Sequence, residues 1–309
     1  MMEFKGADIL STKALSKSDI EKVMETAQKF LPNAKKEETS DLLKGFVMAS
    51  LFYEPSTRTR LSFETAVQRL GGSVVSVVGL ESSSLVKGET LSDTAQVVQT
   101  YADVIAVRHP KPGAPAEMAQ AIDIPVLNAG DGAGEHPTQA LLDLFTILNE
   151  RGTLDGLTVA LVGDLKFGRT VHSLVYLLSH YDVNLILVSP DQLKMPSEVT
   201  DDLTEKGALF DETENLEQAL EKCDVCYMTR VQQERFKDPS EYERFKDYYV
   251  LTKELVEKYN PEMTIMHPLP RVGEISLNVD ELPGAAYFRQ MQNGVAVRMA
   301  LLALVLGKA

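Results

Sequence analysis

Short runs rich in Val, Ile and Leu alternate along this chain with segments of helical period, and that alternation constrains the fold more than any other feature. It predicts α/β units in which each strand is followed by a helix and the strands of a sheet run parallel. Two series stand apart. The first predicts strands over residues 46–53, 73–78, 104–109 and 125–128, with a helix over 57–70 that Gly71 and Gly72 end. The second predicts strands over 157–162, 185–189, 208–211, 225–229 and 264–267. Between them a helix over 137–151 starts with Pro137, suited to a first helical turn, and stops at Arg151-Gly152. The segment 295–306 is apolar on nearly every face and reads as a buried helix packing back onto the first domain. The expected architecture is α/β, with two doubly wound parallel-sheet domains joined by a helix. One domain comprises residues 1–136 with 293–309, the other 137–292, of which 137–151 is the linking helix.

The 309 residues, 44% hydrophobic, suffice for two cores of roughly 150 residues each. A formal net charge of -14 repels nucleic acid and anionic membranes, so neither is expected as a partner. An anionic substrate must therefore find local positive charge. Residues 1–17 lack an apolar secretory core, and the longest apolar stretch is interrupted by Arg298 and too short to span a bilayer, so the expected location is cytoplasmic. The two cysteines, Cys223 and Cys226, have C-x-x-C spacing but fall in a run that reads as a buried strand, with no second pair to complete a zinc site.

At Phe52-Tyr53-Glu54-Pro55-Ser56-Thr57-Arg58-Thr59-Arg60 a predicted strand gives way to a helix. A helix N-terminus offers unpaired N–H groups and the positive end of the macrodipole, a cradle for phosphate. Ser56, Thr57 and Thr59 add hydroxyls, and Arg58 can make a two-pronged contact to phosphate oxygens. Taken alone, the string reads equally well as Ser56 capping the helix beside solvated arginines.

Here the sequence resembles the transcarbamylase family, whose carbamoyl phosphate motif is S-T-R-T, and the flanking Glu54-Pro55 and Leu61-Ser62-Phe63-Glu64 resemble its aspartate-specific branch. Matching strings recur in order at Lys87-Gly88-Glu89-Thr90, Val107-Arg108-His109-Pro110, Asn128-Ala129-Gly130-Asp131-Gly132 and His136-Pro137-Thr138-Gln139. They continue at Gly163 through Thr170, at Thr229-Arg230-Val231-Gln232 and at His267-Pro268-Leu269-Pro270. An ornithine-using relative would carry Cys where this chain has Pro268.

The resemblance implies transfer of the carbamoyl group from carbamoyl phosphate to the amine of aspartate, giving N-carbamoyl-L-aspartate and phosphate for pyrimidine biosynthesis. That chemistry needs donors aimed at an oxyanion and at departing phosphate, and no covalent intermediate, cofactor or metal. The resemblance assigns the oxyanion to Thr59, Arg108 and His136 and the leaving phosphate to Arg58, with Ser56, Thr57 and Thr59 binding it and Gln139 holding the carbamoyl amine. Aspartate's carboxylates go to Arg169 and Arg230 with Gln232, both arginines lying at predicted carboxyl ends of strands, and the carbonyls of Pro268 and Leu269 accept from its amine. Ser83 and Lys87, in a Ser-rich loop, would enter a neighbouring subunit's site, which implies a homotrimer with shared active sites. The charged segment 233–249 resembles the loop of members that associate with regulatory chains, which makes regulatory subunits candidate partners. His109, His172 and His180 read as structural.

Two readings compete. Gly163 to Thr170 also spells G-x-x-x-x-G-R-T, close to a nucleotide phosphate loop, but Arg169 replaces the lysine, and Asp164 and Lys166 spoil a bare backbone nest. A non-catalytic module on the same fold would be expected to have lost Arg58, Arg108 or His136.

Overall fold

The computed structural model describes residues 2–236 and 238–309, without the side chains of residues 82, 84, 85, 234, 239 and 241. Among the described residues nine strands form two sheets in which every pairing is parallel. The chain divides into two compact units, Met1–Leu142 with Met291–Ala309, and Asp143–Gln290. It crosses the division twice, once within the helix Pro137–Arg151 and once within the last helix, Tyr287–Val305.

The first unit holds β1 (Val47–Phe52), β2 (Ser73–Val78), β3 (Val104–His109) and β4 (Val126–Asp131), in the order β2-β1-β3-β4. β3 is buried along its whole length, and β1 along all but its first residue, because central parallel strands are covered on both faces. β2, at the edge, has only exposed and half-buried positions. The second unit holds β5 (Leu157–Val162), β6 (Val183–Val188), β7 (Leu209–Thr213), β8 (Val225–Met228) and β9 (Thr264–Met266), ordered β7-β6-β5-β8-β9.

In each sheet the winding direction reverses once. From β1 the chain moves outward to β2, then returns to build β3 and β4 on the other side; from β5 it moves to β6 and β7 before returning to β8 and β9. The loops leaving β1 and β3, and those leaving β5 and β8, therefore diverge and open a crevice at the strands' carboxyl ends.

Several segments differ from the sequence reading. β4 runs to Asp131, since a register shift between Val107 and His109 lets pairing resume at His109 and Asp131 through residues that locally look like a turn. The last helix starts at Tyr287, before the fully apolar stretch, because its polar Gln290 is buried and satisfied by hydrogen bonds. The serine-rich loop forms two tight turns, Leu80–Ser82 and Ser84–Lys87. In the segment 233–249 a helix covers Pro239–Phe245, and Lys237 lies outside the described residues. Cys223 and Cys226 are free and buried, and Cys223 together with burial pushes the Cys226 thiol up, away from thiolate reactivity.

Burial holds His109, His172 and His267 below the ordinary histidine value of 6.5. The folded chain resists protons that the unfolded chain accepts, so their contribution is present above that value and lost as pH falls below it. The thermal midpoint should therefore drop between about pH 7.5 and about pH 5.5. His172→Gln, whose amide can still donate to the Leu165 carbonyl as the ring does at 2.7 Å, should flatten the drop. A midpoint that is level or rises toward acid by scanning calorimetry would contradict this account.

Candidate active site

The first crevice gathers one half of the sequence-predicted residues. After β1 the helix Thr57–Arg69 begins, with Ser56 at its cap in extended backbone and its hydroxyl making no capping bond. The simple N-cap reading of Ser56 is thus not what the structure contains. Thr57 and Arg58 are exposed, and Thr59 is buried. Glu64 pins this helix to the sheet by accepting from Ser50 of β1 and Ser76 of β2, each at 2.9 Å.

Arg108 arrives at the end of β3, and His136 immediately precedes the helix Pro137–Arg151. Both are buried, and His136 Nε2 lies 3.4 Å from Thr59 Oγ1. Gln139, also buried, sits one turn along from His136. Arg298, buried on the last helix, donates to Ser62 Oγ at 3.0 Å and Thr138 Oγ1 at 3.4 Å, tying the two site-bearing helices together.

Two determinants escaped the sequence reading. Glu54 meets Arg108 at 2.8 Å and holds its guanidinium in a charge-balanced pair. Gly130 has φ +115°, and a Cβ there would come within 2.7 Å of Arg108 Nη1 and 3.5 Å of His136 Cδ2. The arginine can lie across this backbone only because no side chain is present. A glycine inside a strand marks such a close approach, but Gly130 lies in β4 beyond the predicted strand 125–128, so that signal was not legible in the sequence.

Five more of the sequence-predicted residues lie in the second unit, with Arg169 and Arg230 following the two strands that flank its crevice. Arg169 opens the helix Arg169–Leu178 after β5, and Arg230 follows β8. Gly163, at φ +119°, lets the two strand ends meet: a Cβ would lie 2.4 Å from the Thr229 carbonyl oxygen. Asp164 is fully buried and accepts from the backbone N–H groups of Phe167 at 2.9 Å and Gln232 at 3.2 Å. Burial pushes its carboxyl up while those bonds and the Arg230 charge oppose the shift. A loop whose N–H groups are taken by its own carboxylate is not a nucleotide phosphate nest, which removes the competing motif. The Gln232 amide donates to the Phe167 carbonyl at 2.8 Å.

Pro268 and Leu269 follow β9, with Leu269 in the left-handed region at φ +56°. Burial and, less strongly, the Arg230 charge hold His267 before this turn below the ordinary histidine range. Ser83 donates to the Leu80 carbonyl at 2.8 Å, and Lys87 is exposed. Among the described residues neither hydrogen-bonds to Thr59, Arg108 or His136.

Gly130→Ala should fold, with the strain of a side chain at positive φ, but displace the Arg108 guanidinium. Loss of one charge-assisted contact to the carbamoyl oxygen should weaken carbamoyl phosphate binding about tenfold or more by calorimetry. Unchanged affinity would show that Arg108 does not depend on this close approach.

Residues 7–149 match the family described as "Aspartate/ornithine carbamoyltransferase, carbamoyl-P binding domain", and residues 155–305 its "Asp/Orn binding domain". The aspartate carbamoyltransferase catalytic subunit of Methanococcoides burtonii is 51% identical over 306 residues, 99% of each chain, and that of Thermococcus kodakarensis is 50% identical over 306 residues with the same coverage. The aspartate transcarbamoylase of Trypanosoma cruzi, solved with carbamoyl aspartate and phosphate, superposes with a TM-score of 0.92 at 43% identity, covering 99% of this chain and 98% of that one. The catalytic subunit of the M. jannaschii enzyme gives a TM-score of 0.91 at 47% identity, covering 99% and 98%. The chain belongs to the aspartate/ornithine carbamoyltransferase family.

Proposed function

We propose that this chain transfers the carbamoyl group of carbamoyl phosphate to the amine of L-aspartate, releasing phosphate and N-carbamoyl-L-aspartate for pyrimidine biosynthesis. The observation that carries this reading is the convergence of Thr59, Arg108 and His136 at the crevice of the first sheet, beside the open start of the Thr57–Arg69 helix. As the neutral amine attacks, the carbamoyl oxygen gains negative charge, and three donors from separate elements are what that charge requires. Thr59, Arg108 and His136 take that role, and Gln139 holds the carbamoyl amine. Arg58, with Ser56, Thr57 and Thr59, receives charge that builds on the leaving phosphate. A phosphate oxygen takes the amine proton, so His136 acts as a donor and not as a base. Carbamoyl phosphate competes with Glu54 for the Arg108 guanidinium, now paired at 2.8 Å.

Arg169, Arg230 and Gln232 bind aspartate's carboxylates, and the Pro268 and Leu269 carbonyls accept from its amine. Ornithine would bring a cation where two arginines stand, so charge alone selects the dicarboxylate. The setting is cytoplasmic, where Cys223 and Cys226 persist as the free thiols seen here.

The working unit is a homotrimer in which Ser83 and Lys87 complete a neighbour's site. Support comes from the edge strand β2, which leads into their loop and exposes Val75 and Val78, with Leu61 also exposed on the adjacent helix. An apolar unpaired edge of this kind calls for cover. The relatives' description as catalytic subunits supports regulatory chains as further partners.

Phosphate release should require both carbamoyl phosphate and aspartate, and Arg58→Ala and His136→Ala should each lower it at least about a hundredfold while circular dichroism stays native. Release that ignores aspartate would overturn the assignment. Lys87→Ala and His136→Ala proteins, nearly inactive separately, should regain about a quarter of wild-type sites when unfolded and refolded as an equal mixture, because each site draws its body from one chain and its loop from the next. No recovery in demonstrated mixed trimers would reject the shared site.

A further inference from the structure

The turn that follows β9 is built around a buried histidine that the proposed reaction does not use. His267 is completely buried, and its Nδ1 accepts the backbone N–H of Leu269 at 2.8 Å. A nitrogen that accepts an N–H carries no proton, so the ring's proton is on Nε2, which donates to Glu274 Oε1 at 2.6 Å. The other Glu274 oxygen accepts from Val272 N at 3.0 Å and Gly273 N at 2.9 Å. Behind the turn, His267 N donates to Gln290 Oε1 at 3.0 Å, Gln290 donates to Asp143 at 2.6 Å, and Tyr227 donates to the same carboxylate at 2.7 Å.

The consequence lies in the backbone. Leu269 sits at φ +56°, a region that a leucine rarely adopts and that persists only when surroundings hold it. The first unit contains the same short turn without this conformation. There His109 Nδ1 accepts from Lys111 N at 3.0 Å across Pro110, the ring rests on Tyr53, and Lys111 keeps a negative φ. What His267 has in addition is a carboxylate that fixes which nitrogen carries the proton. Burial would raise the Glu274 carboxyl, but the His267 hydrogen bond and backbone N–H donors hold it down to about 2, so it is an anion and an acceptor at neutral pH. Burial and the Arg230 and Arg271 charges keep the ring neutral against the pull of Glu274.

We propose that His267 and Glu274 are positioning residues for aspartate, locking the ring in the tautomer whose Nδ1 orients Leu269 and so aims the Pro268 and Leu269 carbonyls at the incoming amine. The role rests on the carbamoyl transfer reading above. The pair touches no substrate. It sets the direction of two acceptors, and therefore the affinity for the amino acid and not for carbamoyl phosphate.

Asparagine and glutamine separate the two ring nitrogens. The oxygen of His267→Asn reproduces Nδ1 and can still accept from Leu269, whereas the amide of His267→Gln reproduces Nε2 and serves only Glu274. His267→Gln should raise the aspartate KM about tenfold or more, and His267→Asn should restore it to within about threefold of wild type, with carbamoyl phosphate affinity unchanged in both. If Gln restores and Asn does not, or if both variants weaken the two substrates alike, the ring is merely structural and the proposal falls. Wild-type protein that releases no phosphate in the presence of aspartate would instead remove the transfer reading itself. Should a variant fail to fold, nitrogen-15 spectra of wild-type histidine at neutral pH decide the matter: His267 must be the Nε2–H tautomer, and Nδ1–H or imidazolium overturns the proposal.

Discussion

Parallel pairing is the constraint on which everything else here depends. A parallel strand can be reached only by a crossover, so every strand in a sheet delivers its carboxyl end to the same side. Crossovers that start in one direction and then switch must leave a gap where the loops part. In the first sheet that gap lies between β1 and β3, whose ends carry Thr59 and Arg108, and in the second between β5 and β8, whose ends lead to Arg169 and Arg230. Residues far apart in sequence meet because topology brings their strand ends together.

The site's charge is managed locally. In a chain of net charge -14, an arginine exposed to the whole molecule's field would be neutralised at long range without being aimed. Here a carboxylate holds the Arg108 guanidinium in a defined place, Glu54 facing it at 2.8 Å, and Asp164 organises the loop before Arg169. An anionic ligand then exchanges one acceptor for another, so the arginines need not be stripped of solvent afresh.

What the sequence made legible was whatever local signals encode. Strand and helix periodicity located the start of the Thr57–Arg69 helix within a residue, Arg169 and Arg230 follow strands, Arg108 lies in a strand and His136 precedes a helix, as expected. Partnerships that exist only after folding were hidden. Nothing near Glu54 says that it will face Arg108, and Glu274 looks like any exposed glutamate until the turn brings it to His267. Gly130 was hidden for a different reason: Asn-Ala-Gly-Asp-Gly reads as a turn, and pairing with β3 overrides that local preference.

The first unit is discontinuous. Its last helix, Tyr287–Val305, brings Arg298 to Ser62 and Thr138, and its final turn accepts a hydrogen bond from Gly6 through the Val305 carbonyl at 2.8 Å. During synthesis residues 1–142 emerge before residues 143–290, yet the piece that closes them, residues 291–309, emerges after both. The contiguous residues 143–290 can complete their own core while the earlier segment still waits with an open face. The core that carries Arg108 and His136 is thus begun before residues 143–290 are made and can be closed only after them.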